Sequence, residues 1–445
     1  MLTKTCLLAG ALLALCGAAM AQAAAAGATL LQNVRIFDGK SASLSGPSHV
    51  LVRGEVIERV SAAPIVPPPD ATVIDGQGRA LMPGLIDNHW HTMLAAPSMA
   101  LTLEGDLGYL TLLAAVEARA TLMRGFTTVR DVGGPSFALK RAIDDGLVIG
   151  PRIYPSGAMI TITGGHGDFR ARHELPRQIG GPPPLTGALN ASQLADSPDE
   201  VRLRTREQLL LGASQIKLTA GGGVASPHSP LDASTFTEDE LRAAVQAAAN
   251  WGTYVGVHAY TPQAIQRALA AGVKVIEHGH LMDDESARLI AEKGVWLSFQ
   301  PFVDDGYVPQ MPPSSMARLR QIFAGTEATV ALARKHKLKL AWGTDILFSA
   351  ANATRQGALL VQMQKWFTPA EVLAMATGTN AQLLQLSGPR NPYPGKLGVV
   401  EEGALADLLL VDGNPLENLK LIETPDTSFV LIMKGGTLHK NLLRR

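Results

Sequence analysis

The feature that most narrows the folds open to this chain is a repeated alternation. Between residues 81 and 385, eight strand-like apolar runs are separated by longer helix-like stretches. The runs are "ALMPGLIDNHWH", "FTTVRDVG", "RIYPSGAMI", "SQIKLTAGG", "TYVGVHAY", "VKVIEHG", "VWLSFQP" and "KLAWGTDIL". Between them lie segments such as "YLTLLAAVEARATLMRG" and "TEDELRAAVQAAANWG"; the second opens with a capping box, Thr237 to Glu240. Strands that alternate with helices build a parallel sheet, and this many units predict a closed (β/α)8 TIM barrel, whose usual size is about 250 residues plus insertions.

The flanks read differently. Residues 24–80 hold "TLLQNVRIFDG", "HVLVRGEVIERV" and "ATVIDGQG", short strands punctuated by Gly and Asp, with "PIVPPPD" as a stiff connector. Residues 386–445 return to short strands in "GKLGVVEEGALADLLLVDGNPLENL" and "TSFVLIMKGGTLHK". The two flanks predict one small discontinuous β-sandwich domain, giving an α/β chain with its barrel at residues 81–385. Two stretches inside the barrel, residues 166–198 and "VDDGYVPQMPPSSM", show no helix or strand period. Both follow candidate strands, which places them on the face where barrels carry active sites, as lids or substrate walls.

Residues 1–23 read as a secretory signal peptide: Lys4, then the apolar "CLLAGALLALCGAAM", then cleavage after Ala21 or Ala23. Leu15 before Cys16 argues against a lipoprotein signal. The expected location is periplasmic or secreted. Both cysteines of the chain, Cys6 and Cys16, fall in this segment, so the mature protein would have no disulfide, thiolate ligand or cysteine nucleophile. No later apolar stretch suits a transmembrane helix. Thirty-nine basic and 39 acidic residues balance, giving no electrostatic reason for a nucleic-acid or membrane partner. No G-x-S-x-G elbow of a serine hydrolase is present.

The polar residues near the strand ends carry the chemistry. On a strand, side chains at i and i+2 share a face, so His89 and His91 can face the barrel mouth together. Lys217 lies in the nearly apolar "QIKLTA", where a buried ammonium is costly; snorkelling or a salt bridge would be its ordinary solution. His258 ends "GVHA", His278 ends "VIEH" and Asp345 follows in "WGTD". Each alone could be structural. Together they put imidazole, amine or carboxylate at the ends of the first, fourth, fifth, sixth and eighth strands. Asp87 shares the face of His89 and is placed to orient an imidazole from behind.

This order of residues resembles the metal-dependent amidohydrolase superfamily, on "PGLIDNHWHT", "IKLTAGGG", "VHAY", "VIEHG" and "WGTD". "TITGGHGD" and "VHAYTPQAIQRALAAGVKVIEHG" resemble its branch of imidazolonepropionase-like enzymes and Xaa-Pro or cationic dipeptidases, which includes ochratoxin-degrading amidohydrolases. The resemblance implies two divalent ions, zinc by default with manganese, cobalt and iron left open. His89, His91 and Asp345 would hold the more buried ion, and His258 and His278 the other. Lys217, N-carboxylated by CO2, would bridge them. A bridging hydroxide would attack the amide carbonyl, with Asp345 moving the proton to the leaving amine. His166 would hold the carbonyl oxygen or a substrate carboxylate. Tyr260 would donate a hydrogen bond to substrate or pack as an aromatic, and His228 would belong to a substrate loop. His49, His173, His280, His336 and His439 are left as structural or exposed.

The implied activity is hydrolysis of a small-molecule amide: a dipeptide or N-acyl amino acid with a free carboxylate, ochratoxin A being one candidate. Lactone or ester hydrolysis, and a non-catalytic binding barrel, are the alternatives. The resemblance also implies a homo-oligomer.

Overall fold

The computed structural model describes residues 27–171, 184–226, 228–307 and 311–443; the predicted signal segment and His173 lie outside them. The described chain opens with β1 (Ala28–Ile36), β2 (Pro47–Arg53), β3 (Val56–Ser61), β4 (Thr72–Asp75) and β5 (Ala80–Pro83). Next come β6 (Leu85–Trp90), β7 (Phe126–Asp131), β8 (Arg152–Pro155), β9 (Met159–Thr161) and β10 (Ser192–Leu194). They are followed by β11 (Ile216–Thr219), β12 (Val255–Ala259), β13 (Val275–His278), β14 (Trp296–Phe299) and β15 (Lys339–Trp342). β16 (Leu408–Val411), β17 (Phe429–Lys434) and β18 (Thr437–Asn441) close the chain.

The two flanks do meet. They share one eight-stranded sheet in the order β18-β17-β16-β5-β1-β2-β3, with β4 beside β1. β5 runs antiparallel to β16, with Leu81 opposite Leu410. The run read as one strand, "ALMPGLIDNHWH", is two. It divides at Gly84, whose N–H donates to the Asp407 carbonyl at 2.8 Å. A Cβ on Gly84 would lie 2.1 Å from the Thr127 hydroxyl, so only glycine lets the backbone pass here. The terminal unit therefore extends to Pro83, three residues beyond the expected boundary.

The remaining strands are all parallel and form two sheets, β6-β7-β8 and β10-β9-β11-β12-β13-β14-β15. "RIYPSGAMI" supplies one strand to each, because it breaks at Gly157, a position with φ +72° and no room for a side chain against Gln208. Every residue of β6 to β14 is buried, as are the last two of β15. Parallel strands covered by helices on their outer side require that. This is an α/β fold of the TIM-barrel type. β15 and β6 approach through a parallel bridge between Trp90 and Ile346 and through the Asp345 N–H, which donates to the His89 carbonyl at 2.7 Å.

Two expectations about loops need amendment. The stretch 166–198 contains β10, too short at three residues to show a period. "VDDGYVPQMPPSSM" ends inside a helix, Pro313–Lys335, whose first position is a proline, a residue suited to helix starts. The helix Glu238–Asn250 begins as its sequence predicts, with the Thr237 and Glu240 side chains each accepting from the other's backbone N–H. Among the described residues no helix is long and apolar enough to cross a membrane.

Candidate metal centre

Parallel strands place their C-terminal ends on one face, and there His89, His91, Lys217, His258, His278 and Asp345 line a single cavity of about 540 Å³. The four imidazoles are 1–3% exposed. Their rings cluster: His89 and His91 have centroids 5.5 Å apart, His89 and His278 4.9 Å, and His258 and His278 4.5 Å. His278 and Asp345 sit at φ +77° and +56°, a left-handed backbone uncommon outside glycine. Strain of that kind gathers where a side chain must be aimed at a site.

Each histidine has one ring nitrogen already engaged by an oxygen acceptor. His89 Nδ1 lies 2.9 Å from a Glu277 carboxylate oxygen, and His91 Nδ1 3.1 Å from the Gly133 carbonyl. His258 Nε2 lies 2.8 Å from the Gly222 carbonyl, and His278 Nδ1 2.7 Å from Gln300 Oε1. An oxygen acceptor fixes the proton on the nitrogen that faces it. The lone pairs left over are on Nε2 of His89, His91 and His278 and on Nδ1 of His258.

Asp345 Oδ1 is 3.0 Å from His89 Nε2 and 3.2 Å from His91 Nε2. Three lone-pair donors thus converge, with all three ligand atoms within 4.8 Å of one another. Such a trio repels itself unless a cation sits among its members, and its spacing suits bonds of about 2.0–2.2 Å to one ion. Lys217 is 3% exposed and forms no ion pair among the described residues. Burial pushes its ammonium below the ordinary lysine value, against the opposing pull of Glu277 and Asp345.

Residues 80–440 match the amidohydrolase family. The chain belongs to the amidohydrolase family. An ochratoxinase from Aspergillus niger is 32% identical over 327 residues, 72% of this chain. The match spans 66% of that relative, just under two thirds of its length. A crystal structure of an amidohydrolase superposes with TM-score 0.85 at 37% identity, covering 93% of this chain and 99% of that one. A prolidase complexed with N-methylphosphonate-L-proline gives TM-score 0.85 at 33% identity, covering 93% and 100%.

The other residues singled out in this amidohydrolase fall unevenly. His166 and Tyr260 line the cavity; His228 does not. His228 lies in the loop that Gly222, donating to the Ala233 carbonyl, and the Gly221–Ser234 bridge fold back on itself, and it is half-buried there. His166 stacks on His258 at 4.3 Å. Burial pushes His166 down to about 4, so it is neutral at pH 7. Ser226 Oγ accepts from the Gly167 N–H at 2.8 Å and lies 2.9 Å from His166 Nδ1. The hydroxyl can donate its proton to Nδ1, the arrangement in which His166 Nε2 is a donor, or accept from Nδ1 through its second lone pair. Tyr260 packs between His258 (4.8 Å) and His278 (4.9 Å).

Asp87 corrects its expected role. It touches no imidazole; it accepts from the backbone N–H of His89 (3.0 Å) and of Thr344 (3.1 Å) and from the Gln356 amide (2.9 Å). It also accepts from the Thr344 hydroxyl at 2.7 Å, so it ties the β6 end to the turn that carries Asp345. The carboxylate that does orient an imidazole is Glu277, missed in the sequence although it immediately precedes His278. Glu277 is fully buried, and its second oxygen accepts from Arg130 Nη2. Burial alone would raise its carboxyl, but Arg130 and His89 hold it well below the usual range. A charged residue inside an apolar strand was the available signal, for Glu277 in "VIEHG" as for Arg130 in "TTVRD".

Proposed function

We propose that this chain is a binuclear metal-dependent amidohydrolase that cleaves an amide or peptide bond in a dipeptide or N-acyl amino acid bearing a free carboxylate. One observation carries the reading: the free Nε2 atoms of His89 and His91 meet the Asp345 carboxylate at 3.0 and 3.2 Å in the cavity that Lys217, His258 and His278 also line. The donor set fits two divalent cations of the zinc type, one held by His89, His91 and Asp345 and the other by His258 and His278. Lys217 would link them after its neutral amine adds to CO2, forming an N–C bond and releasing a proton. When bound, the ions would acidify a water and polarise a carbonyl. We also read the two parallel sheets as one closed eight-unit barrel, on the strength of the Trp90–Ile346 bridge.

The residues then divide the work. Asp345 takes the proton of the attacking water and passes it to the leaving nitrogen, which as an unprotonated anion would leave poorly. In the tautomer whose Nδ1 accepts from Ser226, His166 donates from Nε2 to the substrate carbonyl oxygen. The apolar walls, Phe169, Phe302, Phe323 and Phe348 among them, exclude bulk water and suit a bulky acyl group of the ochratoxin kind.

Metal analysis after purification without chelator is expected to find about two divalent ions per chain, and fewer than one would sink the reading. Paired kcat/KM values should favour N-acyl amino acid amides over lactones; a much higher lactone value would install the esterase alternative.

Gly223 offers a sharper check. A Cβ there would lie 2.1 Å from His166 Nδ1, forcing the ring off His258. Gly223→Ala is expected to lower kcat/KM by about 10²-fold through misplacement alone, with metal content unchanged. Adding it to His166→Ala should cost nothing more; an additive double variant would show that Gly223 acts elsewhere.

A further inference from the structure

The proposed substrate carries a free carboxylate, and the cavity holds one side chain built to receive it. Among its described lining residues, the Lys and Arg side chains are Lys217 and Arg355. Once Lys217 is carboxylated, as the proposed function has it, Arg355 is the cationic Lys or Arg side chain left among the described lining residues. Arg355, Leu359 and Gln362 follow β15 at i, i+4 and i+7, and all three line the cavity. That spacing puts them on one helical face.

The guanidinium is fixed in place from two sides. Arg355 Nη2 donates to Asp305 Oδ2 at 2.6 Å, and Gln362 donates to the same oxygen. Arg355 Cζ lies 3.7 Å from the centroid of the Tyr307 ring, so the fork stacks on an aromatic face. Of five guanidinium N–H groups, Asp305 takes one. Nε and Nη1 make no hydrogen bond among the described residues. A preset fork with spare donors suits a carboxylate better than a flexible lysine would. The cavity is less suited to a substrate ammonium. Its two lining carboxylates are Asp345, set against His89 and His91, and Asp305, which already accepts from Arg355 and Gln362.

We infer that Arg355, held by Asp305 and Tyr307, is the specificity residue that binds the free carboxylate of the substrate at the wall of the cavity formed after β14 and β15. This rests on the proposed function for the substrate class, while the binding claim stands on the cavity alone.

The test compares 3-phenylpropanoate, which has no scissile acylamino bond, with its carboxamide as calorimetric ligands of the metal-loaded protein, and a carboxylate-bearing amide with its carboxamide as substrates. In Arg355→Met, affinity for the carboxylate ligand and kcat/KM for the carboxylate substrate should fall about 10- to 100-fold, mainly through KM. The carboxamide values should stay within about twofold, which a general structural defect would not spare. Arg355→Lys should fall between, and Asp305→Asn should keep or increase the preference for carboxylate. Equal losses on both ligands, or a carboxylate preference that follows Asp305 rather than Arg355, would overturn the assignment. If wild-type protein binds the carboxylate through Arg355 but hydrolyses no amide, the catalytic reading fails and the anion site survives.

Discussion

Asp345→Asn is expected to lower kcat on an amide by about 10²- to 10⁴-fold, the span associated with loss of a positioned acid–base group. The carboxylate sits 3.0 and 3.2 Å from His89 and His91, and on the proposed mechanism it would deprotonate the attacking water there. On the proposed mechanism, its second duty would be delivery of that proton to nitrogen. A p-nitrophenyl ester of the same acid has a leaving group that departs without protonation, so its loss should be several-fold smaller. Measuring both substrates beside metal content separates the two duties. Equal losses on amide and ester, or an Asn variant that binds no metal, would reduce Asp345 to a ligand.

Arg130→Met is expected to destabilise the fold by about 3–5 kcal/mol, because it strands the Glu277 carboxylate without its cation. Arg130 and Glu277 are both fully buried, and Arg130 Nη1 also donates to the Asn88 carbonyl at 2.7 Å. Replacing the whole pair, Arg130→Met with Glu277→Gln, should recover much of that loss, since a neutral interior needs no counter-ion. Urea unfolding of the three variants decides this. A double variant as unstable as the sum of the singles would mean that the pair is not one unit. Even if stability returns, metal affinity should not return fully, for His89 would have lost the carboxylate that fixes its tautomer.

Much of this site is legible in the sequence because strands impose a period of two and parallel sheets gather their ends on one face. His89 and His91 share a face for that reason, His258 and His278 fall at or next to the last residue of their strands, Asp345 follows β15, and Lys217 lies within β11. What escaped reading depends on which strand lies opposite which. Arg130 and Glu277 stand on β7 and β13, far apart in sequence, and only the folded barrel shows that their charges meet. Asp87 had the right spacing to serve an imidazole, yet Thr344 and the His89 backbone lay nearer. His228 and Arg355 were misjudged or unseen because loops follow tertiary packing, not a period. The split of "ALMPGLIDNHWH" at Gly84 is similar: an unbroken apolar run hides a change of partner from β16 to β7.

That change of partner sets an order of assembly. β5 leads directly into the first barrel strand, yet its antiparallel neighbour is β16, and the pairing of Leu81 with Leu410 awaits nearly the whole chain. During synthesis, β1 to β5 must wait with one sheet edge bare while every βα unit emerges. Contacts between such distant residues form slowly, and an uncovered strand edge recruits other chains. The step most exposed to aggregation is therefore the closing of the terminal sheet, and shortening the C-terminal strands would imperil recovery of folded protein before it touched the chemistry.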